Sequence, residues 1–226
     1  MKSSNKDRKL LLPKVRLCVI TDRRLSRGRS FEEVVKAAIA GGAQMIQFRD
    51  KELDDGPFYH HAFRLRSVTR EAGVLFIIND RVDVAQSVGA DGVHVGEHDL
   101  PVDVARQLIG PEMILGASAA VPAEVRKAQA AGADYLGVGA IFPTGTKGDA
   151  NHVGLERLVQ LRPLVDVPIL AIGGIAMDNA AESIEAGADG VAVINAVVGA
   201  EDISTAAALL LERVRQAGQR PAGEKG

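Results

Sequence analysis

A single cysteine, Cys18, stands in a chain of 226 residues, so a disulfide framework within the chain and a thiolate zinc site are both excluded. Long apolar runs are equally scarce. The longest stretches without a charge reach twelve residues, as over 135–146, too few to span a bilayer. At the N-terminus Lys2, Lys6, Arg8 and Lys9 precede only Leu10, Leu11 and Leu12 before Pro13, which is too short for the apolar core of a secretory signal. Neither charge sign dominates: 27 Lys and Arg face 29 Asp and Glu, a net charge of −2. No global field therefore draws in nucleic acid or an anionic membrane, and any anion must be held by local groups. A cytoplasmic setting is expected. With aromatics at 4%, apolar residues at 46% and charged residues at 25%, what remains is a chain able to bury one core, and a single domain over 14–217 is expected. Residues 1–13 and 218–226, polar and carrying Gly and Pro, are expected to be disordered.

Glycine is abundant, at 24 residues, and its placement is informative. Gly42-Ala43-Gln44, Gly89-Ala90-Asp91-Gly92, Gly132-Ala133-Asp134 and Gly187-Ala188-Asp189-Gly190 each follow an Ala-rich segment and precede an apolar run, at spacings of 47, 43 and 55 residues. A glycine that ends a helix, followed by a β-branched run, marks a helix-to-strand turn, and two βα units fit into each spacing. Strands are expected over 15–20, 45–49, 74–78, 92–95, 113–117, 135–139, 168–172 and 191–194. Helical segments begin near Phe31, Pro57, Val82, Val102, Pro122, Leu155, Asp178 and Asp202. Eight alternations close a (β/α)8 TIM barrel. An open doubly wound sheet is the alternative, but Gly137-Val138-Gly139 runs into Ala140-Ile141-Phe142 rather than completing a dinucleotide fingerprint.

Barrel chemistry sits at the carboxyl ends of the strands, where this chain is unusually polar. Gln47, Arg49 and Lys51 alternate at period two and project from one face. Such a face suits a polyanion, since Arg grips phosphate through two parallel hydrogen bonds and Lys acts as a point charge; a salt-bridged strand end involving Asp50 and Glu52 is the alternative. Asp80 and Asp99 each lie just beyond a strand, on adjacent staves, and offer hard oxygen ligands suited to Mg2+; either could instead cap the following helix. Residues 137–148 combine small residues, two hydroxyls and Lys147 in a loop that either cradles phosphate or is an ordinary connection, without the spacing of a nucleotide-hydrolysing loop. Gly173-Gly174 and Asn195 follow the last two strands, where many barrels hold phosphate. His94 reads as a packed or hydrogen-bonded residue rather than a base, His60, His61 and His152 as surface residues, and no Ser-His-Asp or Cys-His arrangement stands out; a lysine Schiff base at Lys51 or Lys147 is the open alternative and would have to compete with phosphate binding.

The chain resembles the thiamine-phosphate synthase family from about Arg16 to Arg215. The resemblance rests on Gln47-Phe48-Arg49-Asp50-Lys51, Ile78-Asn79-Asp80, the run from Gly92 to Asp99, Leu115-Gly116-Ala117-Ser118, the run from Gly139 to Lys147, and Ile172-Gly173-Gly174-Ile175. It implies that Gln47, Phe48, Arg49, Asp50, Lys51, Asn79, Ser118 and Lys147 hold a pyrimidine diphosphate. Asp80 and Asp99 would hold its Mg2+, and Thr144, Gly145, Thr146, Gly174, Ile194 and Asn195 a thiazole phosphate. Arg49, Lys51, Ser118 and Lys147 would carry the catalysis. The implied reaction joins 4-amino-5-hydroxymethyl-2-methylpyrimidine diphosphate to the thiazole phosphate, releasing pyrophosphate and thiamine monophosphate by a dissociative course that needs no protein nucleophile. Homo-oligomerisation is left open. Glu97 stands where the family usually has Gln, Asn195 where Ser is common, and residues 149–153 lack the prolines often found there. Two other readings compete. The related thiazole tautomerase carries a histidine two residues after the strand-5 serine, where this chain has Ala120. A non-catalytic sensor of thiamine precursors would need an interaction surface, and only the basic run from Lys2 to Lys9 offers one, which as a charge run reads as a solvated tail.

Overall fold

The computed structural model describes residues 8–144 and 153–219. Eight parallel strands close into a barrel in sequence order, each paired with its chain neighbours and the first with the last. They are β1 (Leu17–Ile20), β2 (Met45–Phe48), β3 (Leu75–Asn79), β4 (Gly92–Val95), β5 (Ile114–Ser118), β6 (Tyr135–Val138), β7 (Ile169–Ile172) and β8 (Gly190–Val193). The helices around them are α1 (Phe31–Ala40), α2 (Asp55–Glu71), α3 (Val82–Val88), α4 (Val102–Ile109), α5 (Pro122–Ala130), α6 (Gly154–Leu161), α7 (Ala180–Glu185), a short α8 (Asn195–Val198) and α9 (Ile203–Gln219). The (β/α)8 barrel expected from eight alternations is the observed fold, with strand boundaries within two residues of those read from the sequence.

Alternation along each strand divides the apolar residues into two cores. Cys18, Ile20, Met45, Leu75, Ile77, Ile114, Tyr135, Leu170 and Ala192 fill the barrel interior, closed at the amino-terminal end by Leu12 and Val15. Val19, Ile46, Phe48, Phe76, Ile78, Val93, Leu115, Leu136, Ala171 and Val191 face outward against the helices. Burial of Cys18 pushes its thiol up to about 12, so it behaves as a small apolar residue.

The repeated phrase has a physical role. Ahead of β4, Asp91 accepts a 2.9 Å hydrogen bond from the Phe76 amide of β3. Ahead of β6, Asp134 accepts from the Leu115 amide of β5 at 2.8 Å, and ahead of β8, Asp189 accepts from the Ile169 amide of β7 at 2.8 Å. Gln44, in the same place before β2, accepts from the Arg16 amide at 2.8 Å, just before β1. Each phrase therefore latches two successive staves at their amino ends, which is why it recurs every second βα unit. The carboxylates are neutralised by helix arginines: Arg66 grips Asp91 bidentately at 2.9 Å, Arg106 meets Asp134 at 2.6 Å and Arg162 meets Asp189 at 2.7 Å.

The expectation that residues 1–13 are disordered is corrected over Arg8 to Pro13. Arg8 bonds Asp91 at 3.0 Å and Lys9 bonds Asp134 at 2.9 Å, while Leu12 packs under the barrel. Two cations of the basic run that reads as a solvated tail are counter-ions of the latch carboxylates. At the other end α9 continues through Gly218 and Gln219, which shortens the expected tail; residues 1–7 and 220–226 lie outside the described residues.

The latches differ in burial, with side-chain exposures of 0% for Asp91, 21% for Asp134 and 37% for Asp189. Asp91→Ala leaves two cations and a strand amide unpaired in the interior and is expected to cost about 3–5 kcal/mol. Asp189→Ala, where water can substitute, should cost about 1–2 kcal/mol. Denaturant unfolding of both variants checks the order, and an Asp189→Ala loss equal to that of Asp91→Ala overturns it.

Candidate active site

The carboxyl ends of β2, β3, β4 and β5 bring together most of the residues singled out by sequence. Gln47 and Arg49 follow the interior phase of Met45, so they rise toward the mouth. Thr21 ties this end to β1: its hydroxyl donates to the Arg49 carbonyl at 3.0 Å and accepts from the Arg49 amide at 2.9 Å. The Arg49 guanidinium lies 3.6 Å from Asp22 and stays partly exposed. An open cleft lies beside this end, lined by Asp22, Arg23, Arg24, Arg49, Asp50, Lys51 and Glu52.

The same alternation turns the side chains of two of the expected residues away from those of Gln47 and Arg49. Phe48 points outward and is wholly buried, its ring 5.0 Å from Phe31 and 4.5 Å from Phe58. Asp50 turns into its own loop, accepting from the Glu52 and Leu53 amides at 2.8 Å each and pairing with Arg23 at 3.3 Å. Both shape the strand end, and Asp50 also lines the cleft.

Asp80 and Asp99 meet at the ends of adjacent strands, and neither caps a helix. The residue before α3 is Arg81 and the one before α4 is Pro101, each without a side-chain cap. Asp80 sits at a positive φ of 63°, a costly conformation outside glycine, its amide donating to the His94 carbonyl at 2.8 Å. Asp99 accepts from the Gly96 amide at 2.8 Å. Burial, with a hydrogen bond to Asp99 alongside, pushes the Asp80 carboxyl up to about 6, although Lys51 forms an ion pair with it. Burial opposes ionisation of Asp99 as well, but hydrogen bonds from Asp80 and the Gly96 amide hold its pKa below the ordinary value. The repulsion within the pair is eased by Lys51, a role a divalent cation would also fill. Among the described residues no three His, Cys, Asp or Glu gather at one point, so an ion here would have two carboxylates and would complete its shell with water or substrate oxygens. That donor set fits Mg2+.

Asn79 ends β3 opposite His94, and Ser118 ends β5 opposite Gly137. Sequence reasoning passed over Tyr135. Its hydroxyl lies 3.0 Å from His94 Nδ1, and His94 Nε2 lies 3.0 Å from Ser118 Oγ, so a buried polar chain runs under the mouth. The missed signal was phase: Tyr135 precedes Gly137 by two, on the inward face of β6.

Across the mouth the β6 and β7 loops are stitched together. Ile141 and Phe142 amides donate to the Ile172 and Gly173 carbonyls at 2.9 and 3.0 Å. Gly174 has φ 66°, and a Cβ there would come within 2.5 Å of the Pro143 carbonyl, so only glycine fits. Thr144 adjoins this stitch. Ile194 immediately precedes α8 and Asn195 is its exposed first residue, as expected of a loop ending in a short helix. Gly145, Thr146 and Lys147 lie outside the described residues.

The thiamine monophosphate synthase family model matches residues 17–197. A thiamine-phosphate synthase of Moorella thermoacetica is 52% identical over 207 residues, covering 91% of this chain and 99% of the relative. One from Chloroflexus aurantiacus is 53% identical over 193 residues, 85% of this chain and 89% of the relative. The solved thiamine phosphate pyrophosphorylase from Pyrococcus furiosus superposes with a TM-score of 0.85 at 45% identity, covering 92% and 98% of the two chains. Among the described residues no helix is long and apolar enough to cross a membrane. With a closed barrel, a cationic strand end and a paired carboxylate site at its mouth, and with relatives matching nearly its whole length, the chain belongs to the thiamine monophosphate synthase family.

Proposed function

We propose that this mouth joins 4-amino-5-hydroxymethyl-2-methylpyrimidine diphosphate to a thiazole phosphate. The bond between the pyrimidine methylene carbon and the bridging oxygen breaks, its electron pair leaving with diphosphate. The aminopyrimidine stabilises the cation, and the thiazole nitrogen supplies the pair for the new C–N bond. The observation that carries the reading is the meeting of Arg49, Lys51 and the Asp80–Asp99 pair at neighbouring strand ends. Around a diphosphate, Arg49 and Lys51 can take up the charge that develops as it departs, and the two carboxylates can hold a cation that does the same.

Arg49 offers a planar fork for two phosphate oxygens, and Lys51, 54% exposed, can swing from Asp80 to the diphosphate. Asn79 and Ser118 add neutral donors. Held by Asp80 and Asp99, Mg2+ would supply Lewis-acid neutralisation of the diphosphate. Lys147 enters by its match to the family motif as a third cation. Thr144, Gly145, Thr146, Gly174, Ile194 and Asn195 would take the thiazole phosphate, holding the nitrogen in line with the methylene carbon. A cytoplasmic setting belongs to the same proposal, supported by the single sealed thiol of Cys18.

Purified protein given both substrates and Mg2+ is expected to release pyrophosphate and form thiamine monophosphate, and a lack of product overturns the reading. Lys51→Ala should lower kcat by about 10²–10³ with little change in the KM for the thiazole, because its charge acts on the leaving group. A raised thiazole KM at unchanged kcat would contradict that role.

Asp80→Asn and Asp99→Asn keep the side-chain shape, remain folded and are expected to need much more Mg2+ for the same rate. Since both act on one ion, the double variant should be far less impaired than the product of the single effects. Titrating activity against Mg2+ for the three variants checks this. Wild-type activity that survives a chelator defeats the metal assignment.

A further inference from the structure

Arg49 and Lys51 stand two residues apart on one face, yet they are held differently. The Lys51 side chain is 54% exposed and pairs with Asp80 at the mouth. The Arg49 side chain is 17% exposed, and its one ionic partner among the described residues is Asp22, whose Oδ2 lies 3.6 Å from Nη1. The neighbouring acids are taken. Asp50 and Glu52 both pair with Arg23, and Glu52 also pairs with Arg24, so Asp22 is the carboxylate left to Arg49.

Asp22 is itself fixed. Its Oδ1 accepts from the Arg24 amide at 3.0 Å and the Leu25 amide at 3.2 Å, closing the first turn of the connection between β1 and α1. Further along, Ser26 is buried, and its hydroxyl lies 2.8 Å from the Arg23 carbonyl and 3.0 Å from the Arg29 carbonyl. The far end of the connection is tied where the Arg29 guanidinium donates to the carbonyls of Ala200 and Glu201 at 2.8 Å each. At the strand end Thr21 holds both the amide and the carbonyl of Arg49. One oxygen of Asp22 therefore belongs to a pinned loop, and the other meets the guanidinium from a fixed point.

We propose that Asp22 is a positioning residue of the synthase reaction: its carboxylate holds Nη1 of Arg49 and leaves the Nε–Nη2 edge to take two oxygens of the departing diphosphate. A guanidinium that is already oriented needs no reorganisation when charge develops in front of it. A free one follows the substrate and binds the ground state as well as the transition state, which does not raise kcat. The carboxylate also tempers the cation, which opposes tight binding of the intact substrate and of released pyrophosphate. This role rests on the reading of Arg49 as a ligand of that diphosphate.

Asp22→Asn separates the two duties of the side chain, since its carbonyl oxygen can still accept the two loop amides while the charge facing Arg49 is gone. It is expected to lower kcat by about 10-fold. The KM for the pyrimidine diphosphate and the Kd for inorganic pyrophosphate, read by calorimetry with Mg2+, should be unchanged or lower. A wild-type kcat in Asp22→Asn assigns the residue to its turn alone and overturns the proposal. A pyrophosphate Kd that rises in step with the fall in kcat does the same, because it marks uniform binding. Arg49→Met supplies the second arm, with an expected fall in kcat of about 10²-fold. Asp22→Asn added to Arg49→Met should cost nothing further, because its effect passes through that guanidinium. A multiplicative loss in the double variant, as a purely structural role gives, overturns the proposal. Full activity of Arg49→Met defeats instead the reading of Arg49 as a diphosphate ligand, and the role of Asp22 with it.

Discussion

A side-chain oxygen that accepts the first free amides of the preceding stave holds this barrel in register. Gln44, Asp91, Asp134 and Asp189 do this for the four successive pairs of strands. Everything at the mouth depends on it. In a parallel sheet a slip of one residue turns every interior side chain outward, so Gln47, Ser118 and Tyr135 would leave the interior together. The latches lie at the amino ends and the chemistry at the carboxyl ends, so stability and reaction are assigned to opposite faces of one barrel. The arginine that answers each carboxylate comes from the helix layer, which docks that layer to the strands it covers.

At the mouth the dominant fact is that like charges are gathered on both sides of neutrality. Arg49 and Lys51 stand beside Asp22 and Asp80, and Asp80 stands against Asp99. Gathering two buried carboxylates is unfavourable without a counter-charge, and the positive φ of Asp80 adds backbone strain. Cost concentrated at one point of an otherwise regular fold is the mark of a site held ready for a ligand. The buried chain from Tyr135 through His94 to Ser118 gives that point a floor.

The fold was legible because period-two runs and the Gly-Ala-Asp phrase repeat, and both follow from geometry that is local along the chain. The cationic face was legible for the same reason, Arg49 and Lys51 being in phase with Gln47. Phe48 and Asp50 stand apart from Gln47, Arg49 and Lys51 because the family motif is continuous in sequence while a strand presents only alternate residues to one face. Arg8 and Lys9 were misjudged because their partners, Asp91 and Asp134, lie 83 and 125 residues away and no local pattern announces them. Tyr135 was passed over because its meaning depends on Gly116 of the neighbouring strand, which makes room for the ring.

The stitch between the β6 and β7 loops carries a consequence for how selectivity can change. Ile141 and Phe142 bond the backbone of Ile172 and Gly173, and Gly174 admits no side chain beside the Pro143 carbonyl. The segments 141–143 and 172–174 cannot be exchanged separately without breaking these backbone bonds. For anyone redesigning this rim, or tracing how it diversified, the two loops are one inherited module, and a new acceptor would require both to be replaced together.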